Sequence, residues 1–272
     1  MNNRLSHAHI APVLKRVYSP WFRYFRSRRI TRLYQVCGIT AQTRVLDVGG
    51  EIEFWQLSVE AGHELPEVTI VNLHPSWQPL PARIAWQIGD ARSLPVENGK
   101  FDVVVCNSVI EHITSWEDQE AVASEIARVG KSYFVQTPDP RFLIEPHLLA
   151  PFIHWLPRTV QRRLIRNFTL WGLVHRPTPA RAEQALSDIR LLRVRQMKKL
   201  FPDACVYTER FLGWPKSIIA IRKRSARLSE AAALRSSGER LPAPTAADLE
   251  ASAHPNAGPT RYVRDTNATT GR

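Results

Sequence analysis

The chain has 272 residues, 44% of them hydrophobic, with 37 Lys/Arg against 25 Asp/Glu and three cysteines. That is enough apolar material for one full core with appendages. The wide separation of Cys37, Cys106 and Cys205 argues against a disulfide framework or a cysteine-based zinc site, and leaves three ordinary buried thiols as the expectation.

No apolar run reaches the ~18 residues that a membrane-spanning helix needs. The N-terminus also lacks the apolar stretch and cleavage site of a secretory signal, so a cytoplasmic protein is expected. Charge is unevenly placed. Met1 to Leu46 holds nine Lys/Arg and no Asp/Glu, Asp47 to Pro140 holds five against fifteen, and Arg141 to Leu200 holds twelve against three. Two basic segments flank an acidic one, which points to an anionic molecule or surface as partner.

Taken in chain order, the first basic segment interleaves cations with aromatics: Tyr18, Trp21, Phe22, Arg23, Tyr24, Phe25, Arg26, Arg28, Arg29, Arg32 and Tyr34. We expect residues 1–40 to form a basic, aromatic helical arm. Such a composition suits an interfacial helix at an anionic membrane, a nucleic-acid surface, or a lid whose apolar side closes on the domain. Nothing in the chain resembles a nucleic-acid module, so nucleic acid is the minority reading. Val45 to Val48 reads as a buried strand whose Asp47, Gly49 and Gly50 emerge where the chain turns into a helix over about Phe54 to Glu60. Strands follow at Val68 to Asn72, Ile84 to Ile88 and Phe101 to Cys106, the last with the unalternating Val-rich character of a strand covered on both faces. Ser115 and Gly130 bracket a helix over Trp116 to Val129, and a fifth strand runs over Tyr133 to Gln136. A helix from about Glu183 to Leu200 precedes two late strands, Cys205 to Phe211 and Ser217 to Arg222. Strands alternating with helices predict an α/β fold with a doubly wound, mostly parallel sheet.

Three stretches in this order, Arg44 to Gly50, Ile88 to Pro95 and Phe101 to His112, together resemble the class I S-adenosylmethionine (SAM)-dependent methyltransferases, particularly the small-molecule group called type 11. The resemblance covers about Thr43 to Pro138. It implies a seven-stranded sheet ending in a reversed β-hairpin, SAM as cofactor, and a methyltransferase domain over residues 41–224. By resemblance, Asp47 organises the glycine loop and its contacts to the methionine portion of SAM, while Gly49 and Gly50 open a loop in which Glu51 and Glu53 replace the later glycines. Asn72 stands where an acidic residue usually takes the ribose hydroxyls. Its amide could accept one hydroxyl and donate to the other. Asp90 would accept the adenine amino group beside the Ala91 backbone N–H. Asn107 begins the segment at which the methyl group should emerge, and His112 there could take a proton from an acceptor hydroxyl.

Residues 139–182 exceed what the sheet requires and read as an inserted lid, in which Glu145 and His147 are further candidates for a base or an acceptor contact. Some related quinone-type methyltransferases bind a cation near a pair like Glu111 and His112, but no further ligand accompanies the pair in the sequence, so no metal is expected. Residues 225–272 are rich in Ala, Pro, Ser, Thr and Arg and are expected to be a disordered tail. The expected activity is methyl transfer to a small-molecule or lipid- or glycan-type acceptor, anionic and methylated at oxygen, with peripheral contact to an anionic membrane. A catalytically degenerate methyltransferase fold serving as a peripheral membrane or complex-forming protein is the alternative. A nicotinamide-dependent dehydrogenase is weakened by the absence of a full Gly-x-Gly-x-x-Gly loop.

Overall fold

A computed structural model describes residues 12–223, with side-chain environments from Arg23 onward. The tail expected over 225–272 lies outside the described residues. Seven strands form one sheet: β1 (Arg44–Val48), β2 (Glu67–Asn72), β3 (Ile84–Ile88), β4 (Phe101–Asn107), β5 (Gly130–Pro138), β8 (Cys205–Phe211) and β9 (Trp214–Arg222). Their order is β3-β2-β1-β4-β5-β9-β8. The first five run parallel, and β9 is antiparallel to both β5 and β8. From β1 the chain builds outward through β2 to β3, then returns to β4 on the other side of β1. The crevice at that switch, outside the carboxyl ends of β1 and β4, is where open α/β sheets bind ligands.

Period-two alternation sends the central strands' side chains to two separate cores. Val45, Val103 and Val105 point into one, closed by Ile30, Leu33 and Tyr34 of α1 (Pro12–Cys37) and by Ile52, Phe54 and Trp55 of α2 (Ile52–Glu60). Leu46, Val48, Val104 and Cys106 point into the other, closed by Val122, Ala123 and Ile126 of α3 (Trp116–Val129). The arm read from the sequence is therefore, from Phe25 onward, one of the layers covering the sheet. Ser115 caps α3 by accepting the Asp118 N–H at 3.0 Å.

The insert builds its own small core. A β-hairpin of β6 (Ile144–Glu145) and β7 (Ala150–Pro151) is followed by α4 (Arg158–Phe168), α5 (Leu170–His175) and α6 (Pro179–Ser187). Leu148, Ile153, Ile165, Trp171, Ala185 and Leu186 pack together among them.

Two expectations need correction. The single helix over Glu183 to Leu200 is two, α6 and α7 (Val194–Leu200). Thr178 accepts the Arg181 N–H and Pro179 sits in the first turn, so α6 starts early. The intervening stretch is drawn off the helical path because Leu192 is fully buried in the sheet core and the Arg190 N–H donates to the Glu111 carbonyl at 2.7 Å. The three cysteines are also not alike: Cys106 is buried, Cys37 intermediate and Cys205 exposed at the start of β8, the last strand of the sheet.

Candidate active site

The carboxyl end of β1 is a tight assembly. Asp47 is buried among the strands, and its Oδ2 accepts the indole N–H of Trp55 at 2.8 Å. Its Oδ1 is equally buried and has no hydrogen-bond partner. Burial pushes the Asp47 carboxyl up to about 7, the Trp55 hydrogen bond opposing this in part. Gly50 lies directly on the carboxylate: a Cβ there would stand 1.9 Å from Oδ2. Gly49 has φ +68° and a Cβ on it would meet Val109 Cγ1 at 2.6 Å. Glycine is required at both places, for close approach and for a left-handed turn.

Asn72, at the end of β2, donates from Nδ2 to the Gly50 carbonyl at 3.2 Å. One donor of the amide thus holds the glycine loop, and the side-chain carbonyl is the group left to accept a hydroxyl. Glu53 accepts the Gln78 amide at 2.6 Å, so a residue standing in a glycine position of the resembled loop ties the loop to the segment after β2. Asp90 accepts from its neighbour Arg92 through the backbone N–H at 2.9 Å and through the guanidinium. Those hydrogen bonds hold its carboxyl below the usual range. Asp90 therefore caps its own turn, with both oxygens already taking donors. Ala91 packs against the core.

The carboxyl end of β4 is governed by a residue of the basic arm, for which the sequence left membrane, nucleic-acid and lid readings open. Arg29 of α1 is buried and donates to Asn107 Oδ1 at 3.0 Å, Gln136 Oε1 at 2.8 Å, Ser217 Oγ at 3.1 Å and Glu209 Oε2 at 3.2 Å. It binds α1 to β4, β5, β8 and β9 at once. Arg23 pairs with Glu60, and Arg26 faces Glu51 and Glu53 beside the glycine loop. Nothing in the aromatic–basic run distinguished the inward arginine from its exposed neighbours.

Past Asn107 a short 3-10 turn, Ile110–His112, carries Glu111 inward and His112 outward. Glu111 is fully buried; its Oε2 accepts the Thr137 hydroxyl at 3.0 Å, and its Oε1 has no hydrogen-bond partner. The β6–β7 hairpin brings His147 over it. His147 Nδ1 lies 2.6 Å from Glu145 Oε1, and its Nε2 lies 3.9 Å from Glu111 Oε1. Glu145 is itself buried and accepts the Leu148 N–H at 2.5 Å. The His112 and His147 rings meet edge to face at 4.8 Å. Burial pushes Glu111 up; for His147 burial acts downward, but Glu145 and Glu111 outweigh it and raise the imidazole above its ordinary value. The three residues named from the sequence for catalysis, His112, Glu145 and His147, thus stand in one cluster, to which the fold adds Glu111 and Thr137.

Residues 59–133 match the family model described as a methyltransferase domain. Several solved structures are similar to the chain. A SAM-dependent methyltransferase from Archaeoglobus fulgidus is 15% identical, with 74% of this chain and 94% of that one covered and a TM-score of 0.46. A Haemonchus contortus phosphoethanolamine N-methyltransferase in complex with phosphomonomethylethanolamine and S-adenosylhomocysteine is 16% identical, covering 68% and 38%, with a TM-score of 0.44. A protein of an antibiotic biosynthesis pathway from Anabaena variabilis is 19% identical, covering 52% and 60%, with a TM-score of 0.37. The chain thus spans 60% and 38% of the lengths of the Anabaena and Haemonchus proteins. Comparison with curated proteins gives no match.

The methyltransferase-domain match over residues 59–133 and the strand order agree with the class I methyltransferase fold expected from the sequence, for which SAM is the implied cofactor. The residues fit that cofactor. Two glycines without room for a Cβ let the backbone approach closely, and the unpartnered Oδ1 of Asp47 offers a buried negative end to a cationic ligand. Among the described residues, no helix is long and apolar enough to cross a membrane.

Proposed function

We propose that the chain transfers the methyl group of SAM to an oxygen of an anionic small-molecule or lipid- or glycan-linked acceptor. Bound SAM supplies a methyl group on a positively charged sulfur. Asp47, Gly49 and Gly50 hold its methionine end, Asn72 accepts a ribose hydroxyl through its side-chain carbonyl, and Asp90 with Ala91 meets the adenine. Asn107 borders the point where the two substrates face each other. The observation that carries this reading is Asp47, a fully buried carboxylate with one bare oxygen under the glycine turn at the β1/β4 crevice.

Alignment in the crevice supplies most of the rate, so modest help with proton removal suffices. The cluster beyond β4 is where an acceptor hydroxyl would lose its proton, with Glu145 holding the His147 ring and His112 on the exposed side. The anionic character of the acceptor rests on α4, whose outward face carries Arg158, Arg162, Arg163 and Arg166, of which Arg162 pairs with Glu183. The same face is the part of the insert best suited to anionic lipid.

Calorimetric titration of the purified chain with SAM and with its demethylated product tests the cofactor reading. Binding in the micromolar range is expected, and a folded protein that gives no heat at millimolar SAM overturns it. Co-sedimentation with vesicles containing anionic lipid tests the membrane reading. Binding that falls with salt and with Arg163→Glu and Arg166→Glu supports it, whereas equal binding to neutral vesicles leaves a soluble acceptor.

A further inference from the structure

Two turns display apolar side chains where the backbone favours other residues. β8 and β9 are joined by a two-residue loop, Leu212-Gly213, which closes the Phe211–Trp214 pair with φ +48° and +84°. Hairpin loops with positive φ at both positions favour Asn or Asp before Gly. Leu212 carries the steric cost of the left-handed region and gains no packing in return, being 83% exposed. Phe152, just after β7, has φ +58° and is also exposed, with the exposed Trp155 beside it at a ring separation of 5.3 Å. Bulky side chains held in this region without burial are strain of the kind that collects at functional surfaces.

Both turns lie beyond the carboxyl end of β5. The Pro140 carbonyl accepts the indole N–H of Trp155 at 2.8 Å, and the Asp139 N–H donates to the Lys216 carbonyl at 3.0 Å, two residues along β9 from the exposed Trp214. Charge completes the surface. Residues 139–182 contain two acids, Asp139 and Glu145, both buried, whereas Arg141, Arg158, Arg162, Arg163 and Arg166 are exposed. On β8, Arg210 is exposed while Glu209 is engaged by Arg29 and Lys216. Aromatic and aliphatic tips beside a cationic insert that exposes no acid fit the interface of an anionic bilayer, where Trp sits at headgroup level, Phe and Leu reach below it, and arginines meet phosphate.

We propose that the Leu212–Trp214 and Phe152–Trp155 turns form a two-point anchor that inserts into an anionic lipid surface and sets the carboxyl edge of the sheet against it. The anchor rests on the membrane reading above and deepens it. The arginines of α4 attract the surface from a distance, within the reach that salt screening allows. The two turns then fix depth and orientation, so that a lipid-linked acceptor enters the crevice from the interface.

The test uses the full chain with sucrose-loaded vesicles of phosphatidylcholine containing phosphatidylglycerol, of phosphatidylcholine alone, and of the anionic mixture with brominated acyl chains. Wild type should sediment with the anionic vesicles, and bromine should quench its tryptophan fluorescence. Leu212→Asn and Phe152→Asn introduce a residue that the left-handed region tolerates, so the fold should melt at the wild-type temperature or above it. Vesicle affinity should nonetheless fall about 10-fold for each, the scale of withdrawing one such side chain from an apolar phase. Trp155→Phe and Trp214→Phe should each reduce the quenching, and Val59→Gln, at an exposed position of α2, should change neither quantity. Unchanged binding in both Asn variants, with no quenching of wild type, overturns the anchor and leaves the electrostatic contact of α4 standing. No binding of wild type to anionic vesicles overturns both. A lower melting temperature in both Asn variants also overturns the anchor, because the side chains then serve the fold. Self-association of wild type in sedimentation velocity that both Asn variants abolish assigns the turns to a second copy of the chain instead. SAM affinity of the same variants should equal that of wild type, so the cofactor reading stands or falls separately.

Discussion

Two carboxylates are fully buried near the ends of neighbouring strands, Asp47 on β1 and Glu111 just beyond β4, and each keeps one oxygen without a hydrogen-bond partner. They differ in where their support comes from. Asp47 takes its one hydrogen bond from Trp55, eight residues on in the helix that follows its own strand. Glu111 is supported by Thr137 at the end of β5 and faced by His147 from the insert. One site is made by a continuous strand–turn–helix stretch; the other exists only when three distant segments have docked. In the proposed function the first serves the cofactor and the second the acceptor, so the insert would set the chemistry opposite a locally built pocket.

The largest expected effect concerns Asp47 and pH. Its folded-state pKa of about 7 lies above its ordinary value of 3.8, so the folded state holds the proton more tightly. That contribution is fully present below pH ~4 and is lost as pH rises through about 7, amounting to up to about 4 kcal/mol in the cofactor-free protein. Asp47→Asn should flatten the stability profile over that range, as read by urea denaturation at several pH values. Burial shifts Glu111 the same way, so Glu111→Gln should flatten the profile further. An Asp47→Asn profile that keeps the wild-type slope from pH 4 to 7 would mean that Asp47 does not stay neutral in the fold.

Arg29 holds the carboxyl ends of β4 and β5 beside these sites, and Arg29→Met adds a third term to the contrast. It leaves Asn107 Oδ1 without its donor and takes one of two partners from Gln136 and from Glu209, and should cost about 3 kcal/mol, the usual scale for removing one partner of a buried charge network. Chemical denaturation reads the loss. An effect below about 1 kcal/mol would mean that this buried network contributes little to the fold. Gly50→Ala comes next. The added methyl must displace the Asp47 carboxylate, costing about 2 kcal/mol of stability and abolishing SAM binding in calorimetry. Retention of full SAM affinity would show that the glycine turn is not the cofactor floor.

Asp90→Ala gives the smallest effect on stability, within about 0.5 kcal/mol, because its pairing with Arg92 is largely exposed. Its SAM affinity should nonetheless fall by about 1–3 kcal/mol, the cost of leaving the adenine donor unpaired. Thermal melting and titration on one sample separate the two quantities. Unchanged affinity would assign Asp90 to turn capping alone.

Strand identities, their order along the chain and the crevice residues Asp47, Gly49, Gly50 and Asn72 were legible in the sequence. Each announces itself locally, through an apolar run, a carboxylate at a strand end or a glycine where no Cβ fits. Even there the partners were hidden: Asn72 spends a donor on Gly50, and Asp90 is held by Arg92. The break between α6 and α7 escaped for a related reason. The stretch has helical periodicity, but Leu192 is drawn into the sheet core and Arg190 bonds to Glu111 across the fold, a pull that no local pattern records.

The sheet, its doubly wound character and the glycine turn after β1 follow from the sequence, because period-two burial and glycine turns are properties of contiguous residues. Only the tertiary structure decided that Arg29 lies inside, that Glu111 is buried with a bare oxygen, and that the hairpin of the insert carries His147 onto it. Those facts depend on which segments meet at the carboxyl edge of the sheet. Charge and composition say which residues seek partners, and only packing says which partners they find.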